Sequence, residues 1–269
     1  MRLVATNFYS KLLYSEGWSL VAETSRREVW AAVHQTVTIE MRDTLNEPIT
    51  VWGNCSSPSS TTKEKLPLGR WPHLRLINKQ LDLCKEPLCA TFQEVLDSGV
   101  MPAVWTEGLI VLIPKGEGPS QDIRKWSPIT ILNTVYKISA KVISLRLQPM
   151  LTNCIHSSQT GFLQERSILD NITTFWEATA AAIKNHKQLA VLLLDFEKAY
   201  DRVECISLHG TLLKFGFDER WIKGVSSYYS TASSKILWLG KTDQPSQFLI
   251  LCDKDAPWPP IYFFSLQKR

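Results

Sequence analysis

The chain has 269 residues, 44% of them hydrophobic, with 30 basic against 26 acidic side chains and a formal net charge of +4. That supplies a buried core for one large domain or two small ones. It contains no run of eighteen uncharged apolar residues and no apolar leader with a small-residue cleavage site, so a soluble intracellular protein of the cytoplasm or nucleus is expected.

The six cysteines, Cys55, Cys84, Cys89, Cys154, Cys205 and Cys252, show no CxxC pair and no histidine at zinc-finger spacing, which points to reduced structural thiols. Between positions 115 and 150 the basic residues Lys115, Arg124, Lys125, Lys137, Lys141 and Arg146 face only Glu117 and Asp122. Such a local excess suits a polyanion, or forms an ordinary solvated face.

In chain order, Tyr9, Leu12 and Leu13, then Val29, Trp30, Val33 and Val37, have helical spacing and predict two helices within 7–42. The Ser-rich and charged stretch 51–68 predicts a loop and the best internal boundary. Leu83, Leu88, Phe92, Val95 and Leu96 predict a helix over 82–96 that Ser98 and Gly99 stop. The apolar runs 108–114 and 129–132, split by a polar loop, predict a β-hairpin. Helices are expected over 135–151, where Tyr136, Ile138, Val142, Ile143, Leu145 and Leu147 mark the apolar side, and over 168–184. The continuously apolar run 189–194 reads as a strand covered on both faces and ends at Asp195. A helix over 203–215 follows, then an apolar segment 221–229 and strands near 235–239 and 248–251.

A carboxylate at the end of a buried strand is a natural ligand for a hard cation, because the strand holds it at defined geometry. Strand-capping aspartates, aspartyl nucleophiles and nucleotide-hydrolysing folds end strands in the same way. The phosphate-loop reading fails, since Lys235 stands where the first glycine of Gly240-Lys241-Thr242 would have to be and the segment lies downstream of Asp195. A magnesium-dependent phosphotransferase using Asp195 as nucleophile remains an alternative, although Glu197 sits where a second aspartate is wanted.

The stretch from Asp195 through Phe196, Glu197, Lys198, Ala199, Tyr200, Asp201 and Arg202 to Val203 resembles the first palm motif of reverse transcriptases of LINE-type (non-LTR) retrotransposons. Three further blocks precede it in the family's order. Leu112-Ile113-Pro114-Lys115, with the run from Lys125 to Asn133 and Tyr136-Lys137-Ile138, resembles the fingers hairpin and its following helix. The run from Gly161 to Ile172 resembles the next block. The likeness extends over about 85–250 and is specific as an ordered set.

The resemblance implies an α+β fold with right-hand fingers and a partial palm behind a mainly helical N-terminal region. It divides the chain into 1–50, matching what lies between endonuclease and polymerase domains, a degenerate loop 51–80, a fingers-like region 81–188, and a truncated palm 189–269. It implies RNA template, DNA primer and dNTP as partners, no membrane, and two-metal nucleotidyl transfer with Mg2+. Asp195 and the Phe196 carbonyl would hold the metal, Lys115 and Tyr200 would meet the nucleotide, and Gly161, Phe162 and Arg166 would line the template-primer track. Read alone, Lys115 is an ordinary hairpin-loop lysine, Tyr200 and Phe162 are packing residues, Arg166 is a surface charge, and Asp201 is the N-cap of the next helix.

The sequence departs from the family's pattern in three places. It contains no Asp-Asp pair; Asp253 and Asp255 lie in a Pro-rich stretch without strand alternation, and the segment 252–261 poorly resembles the expected Arg-Gln-Gly block. Ser127 stands where the family has an arginine before Pro-Ile, removing a planar phosphate-binding group. A Pro-Gly-x-Asp-Gly segment is not evident within 51–80. The expectation is a truncated, degenerate polymerase domain that is inactive alone, an RNA-binding remnant as the alternative, and a partner chain that would complete the palm.

Overall fold

Parallel and antiparallel pairing meet on one strand in this protein. The computed structural model describes residues 2–12, 19–31, 33, 36–50, 74–116, 121–161, 163, 165–194, 203–238 and 241–242. Strand β1 (Glu107–Pro114) pairs antiparallel with β2 (Trp126–Ile131), from Leu109 opposite Ile131 to Pro114 opposite Trp126, as the two apolar runs predict. Its other edge pairs in parallel with β3 (Ser233–Trp238), which carries the short β4 (Lys241–Thr242), giving the sheet order β2-β1-β3-β4. Burial alternates along β1, with Gly108, Ile110 and Leu112 inward, so one face of the sheet is covered. The fold is mixed α and β around a small sheet.

Helices surround it. Three lie in the N-terminal region, α1 (Arg2–Leu12), α2 (Leu20–Ala31) and α3 (Ile39–Asn46), where the spacing predicted two. Val37, expected in the second helix, lies instead in an extended link, buried, with its N–H donating to the Phe215 carbonyl (2.7 Å). Helix α4 (Leu74–Ser98) begins earlier than predicted and runs through Pro87; Gly99, at φ +67, closes it with its N–H on the Val95 carbonyl (2.9 Å). A single turn, α5 (Ala103–Thr106), leads into β1. Helix α6 (Thr134–Cys154) places Tyr136, Ile138, Ile143, Leu147 and Leu151 in the core. Helix α7 (Ile168–Lys184) matches its predicted bounds, and α8 (Cys205–Lys214) and α9 (Glu219–Ser230) follow.

Two expectations near Asp195 are corrected. The run 189–194 joins no strand of the described sheet, and Leu192, Leu193 and Leu194 are exposed rather than covered on both faces. The N-cap of α8 is Glu204, not Asp201: Val203 is buried in extended chain just before it, so packing delays the helix beyond the residue that capping preference favours. Asp201 lies outside the described residues, as do the loop 51–68, positions 117–120 of the hairpin loop, and the segment 248–251.

Helices α4 and α9 cross at Gly224. A Cβ there would stand 2.6 Å from Leu96 Cδ2, 3.1 Å from Leu96 Cα and 3.2 Å from its carbonyl oxygen, so backbone meets backbone. Gly224→Ala is expected to cost about 2 kcal/mol, because overpacking outweighs the roughly 1 kcal/mol gained in helix propensity. Chemical denaturation of the two proteins checks this, and equal midpoints would contradict it.

Candidate nucleic-acid interface

The hairpin sets out its basic residues in a short space. Asp122 accepts from the Arg124 N–H (3.0 Å) and caps a 3-10 turn, Ile123–Lys125, whose Ile123 side chain is buried. This anchors the arm from below while Lys115, Arg124 and Lys125 stand exposed around it. The pairing extends one step past β1, since the Lys115 N–H donates to the Lys125 carbonyl (2.7 Å). The Lys115 ammonium reaches back to the Arg124 carbonyl (3.4 Å), which leaves further protons of the ammonium directed outward. On α6, Lys137 and Lys141 are half-buried.

Arg146 belongs to the same basic run but not to the same surface. It is 8% exposed, and its guanidinium donates to the carbonyls of Leu45 (3.2 Å), Glu47 (2.7 Å) and Pro48 (2.6 Å). Burial lowers its pKa from the usual arginine value, with Glu47 opposing the shift and Arg220 adding to it. The polyanion reading of the run therefore loses this member. Its place between Ile143 and Leu147 on the apolar stripe of α6 was the signal in the sequence. Two other donors converge on the same loop. The Trp221 indole donates to the Leu45 carbonyl (3.0 Å), and Arg220 pairs with Asp97 while reaching the Asn46 carbonyl (3.4 Å).

The turn after α6 holds Gly161 and Arg166. Arg166 donates to four carbonyls: Thr152 (3.0 Å) and Ile155 (3.0 Å) through one terminal nitrogen, His156 (2.7 Å) and Gln159 (2.8 Å) through the other. Carbonyls left open at the end of α6 are thereby satisfied. Gly161 is half-buried, two residues from Gln159 in the clamped segment. Next comes the capping box of α7, in which Leu169 N–H donates to Ser167 Oγ (3.2 Å) and Ser167 N–H to Asp170 Oδ2 (3.2 Å).

The structure thus places Lys115 at the hairpin and Gly161 with Arg166 at the turn after α6. Asp195, Phe196, Tyr200 and Phe162 lie outside the described residues. Among the described residues no group of three His, Cys, Asp or Glu side chains is placed to hold a metal ion, so no chemical step can be derived through magnesium from them. No described helix is long and apolar enough to cross a membrane. The thiols of Cys154 and Cys205 are pushed up to about 11 by burial, which agrees with structural roles.

The hairpin, α6, the clamped turn and α7 fall in one continuous stretch. A model of the family described as "Reverse transcriptase (RNA-dependent DNA polymerase)" matches residues 113–246, from the end of β1 to beyond β4. Residues 113–246 belong to the reverse transcriptase family. Related proteins place the domain among non-LTR retrotransposons. The chain is 35% identical over 54% of its length to the transposon TX1 uncharacterized 149 kDa protein of Xenopus laevis, covering 11% of that protein. It is 28% identical over 51% of its length to a Pol polyprotein from the type-1 retrotransposable element R2 of Popillia japonica, covering 18% of it. It is also 27% identical over 52% of its length to the RNA-directed DNA polymerase from mobile element jockey of Drosophila melanogaster, covering 16% of it. The chain spans under a fifth of the length of each.

Proposed function

We propose that these residues form the fingers and part of the palm of an RNA-directed DNA polymerase, and that they hold nucleic acid without extending a primer on their own. The observation that supports this most is the ordered match across 113–246, which begins at the basic hairpin and spans Asp195. In this reading the region 81–188 serves as fingers and the palm begins at 189. Lys115 meets the triphosphate of the incoming nucleotide, Tyr200 packs under its sugar, and Gly161, Phe162 and Arg166 line the template-primer track. Asp195, with the Phe196 carbonyl, is the metal ligand, and magnesium would supply charge neutralisation at the transferred phosphate. Two-metal transfer needs further carboxylates, and the 269 residues contain no Asp-Asp pair.

The purified chain, given primed RNA, dNTPs and Mg2+, is expected to yield no extension product. Product that disappears in Asp195→Ala would overturn the inactivity. Binding is a separate measurement. With three exposed cations at the hairpin, log K for single-stranded RNA is expected to fall against log salt with a slope of about −2. Replacing Lys115, Arg124 and Lys125 together by alanine should remove most of that slope. Affinity indifferent to salt would count against the hairpin as the contact, and trapping of a beryllium fluoride phosphate mimic at Asp195 would favour a phosphotransferase.

A further inference from the structure

Asp122 is an exposed carboxylate at the base of the arm that carries Lys115, Arg124 and Lys125. By charge alone it works against a polyanion, since it offsets one of three exposed cations and repels phosphate. Its hydrogen bonds have the opposite effect. Asp122 Oδ1 accepts from the Arg124 N–H (3.0 Å) and the Asp122 carbonyl accepts from the Lys125 N–H (3.1 Å), so the backbones of both basic residues are tied to this one residue. The Trp126 N–H then closes the turn on the Ile123 carbonyl. Side-chain direction follows from the anchoring. Ile123 and Trp126 are each 7% exposed and held in the core, and the two cations between them stand outside. Across the hairpin, the Lys115 N–H donates to the Lys125 carbonyl (2.7 Å) and its ammonium to the Arg124 carbonyl (3.4 Å), which brings the third cation into the same group.

We infer that Asp122 is a positioning residue of the nucleic-acid arm: its side chain presents Arg124 and Lys125 beside Lys115, and this outweighs the repulsion its charge exerts on phosphate. The inference rests on the reading of the hairpin as the nucleic-acid contact. The two contributions of Asp122 separate on substitution. Asparagine and serine accept from the same amide without the charge, whereas alanine loses cap and charge together. All three variants change the net charge equally, so any difference among them reports the cap alone. Removing one exposed carboxylate should tighten RNA binding about twofold at low salt. Losing the cap should weaken it about fivefold, because the freed turn must be ordered again when phosphate binds.

Fluorescence anisotropy of a labelled single-stranded RNA, titrated with the full-length chain below its melting range, tests this. Asp122→Asn and Asp122→Ser are expected to bind about twofold tighter than the unsubstituted chain, and Asp122→Ala about two- to threefold weaker. The slope of log K against log salt should hold at about −2 in the first two and fall towards about −1 in the third, since splayed cations neutralise fewer phosphates together. Amide exchange at Arg124 supplies a reading that needs no RNA: it should accelerate in Asp122→Ala and stay slow in the serine and asparagine variants. Three neutral variants of equal affinity, an alanine variant that tightens as much as asparagine, or unchanged exchange at Arg124 in Asp122→Ala would each overturn the positioning role. RNA binding that is absent from the unsubstituted chain, or that survives replacement of Lys115, Arg124 and Lys125 together, would instead overturn the reading of the hairpin as the contact and the positioning role with it.

Discussion

Arg146→Leu is expected to destabilise the protein by about 4 kcal/mol, roughly a 10 °C fall in Tm for a domain of this size. Leucine fills most of the volume and suits the apolar stripe of α6, so little of the loss is cavity. The loss comes from three carbonyls, those of Leu45, Glu47 and Pro48, which give up a charged donor. Leu45 keeps the Trp221 indole, and Arg220 still reaches Asn46, so the loop is weakened rather than freed. The N-terminal region is tied on elsewhere too. Arg26 pairs with Glu204 (2.6 Å), and the Trp30 indole donates to Thr211 Oγ1 (3.1 Å), joining α2 to α8. Limited proteolysis of Arg146→Leu should therefore cut between α3 and α4 faster than in the unsubstituted chain while α8 and α9 remain protected. Thermal melts within ~1 °C of each other would show that the guanidinium contributes no net stability.

How much of this was legible in the sequence varies with what decides each feature. The hairpin was read correctly because alternation and loop composition are local, and both strands stayed within three residues of the expected runs. The bounds of α7 were legible for a similar reason, since Ser167 and Asp170 form its cap from neighbouring residues. What could not be read was how elements cover one another. The run 189–194 has the composition of a strand buried on both faces, yet composition states what a segment favours and not which partner supplies it; here those leucines are open. Arg146 and Lys141 look alike in a charge count; the place of Arg146 between Ile143 and Leu147 hints at burial, but what its guanidinium meets is set by the carbonyls of the loop after α3. Lys115 was singled out by its place after Ile113-Pro114, and it stands exposed at the hairpin. The signal for Arg166 lay in a block whose spacing carries no indication that its guanidinium turns inward.

That inward turn gives the second large effect. Arg166→Ala is expected to cost about 3 kcal/mol and Arg166→Lys about 2, since four hydrogen bonds to carbonyls are lost in the first and the planar fork in the second. The adjacent Glu165 sits at φ +62, a left-handed conformation that costs a non-glycine residue about 1–2 kcal/mol and persists only where its surroundings impose it. The clamp supplies that constraint. Each terminal nitrogen carries two protons, and all four are directed at the chain's own carbonyls, which leaves the Nε–H and the net charge to face a nucleic acid. The two roles therefore separate on substitution. Lysine keeps the charge and loses the fork, so Arg166→Lys should retain most of the RNA affinity measured below the melting range while lowering the denaturant midpoint. If instead the midpoint holds and the RNA affinity collapses, the guanidinium contacts phosphate directly and the turn does not depend on it. A loss of stability under about 0.5 kcal/mol in both variants would likewise rule out the clamp as what holds Glu165 in place.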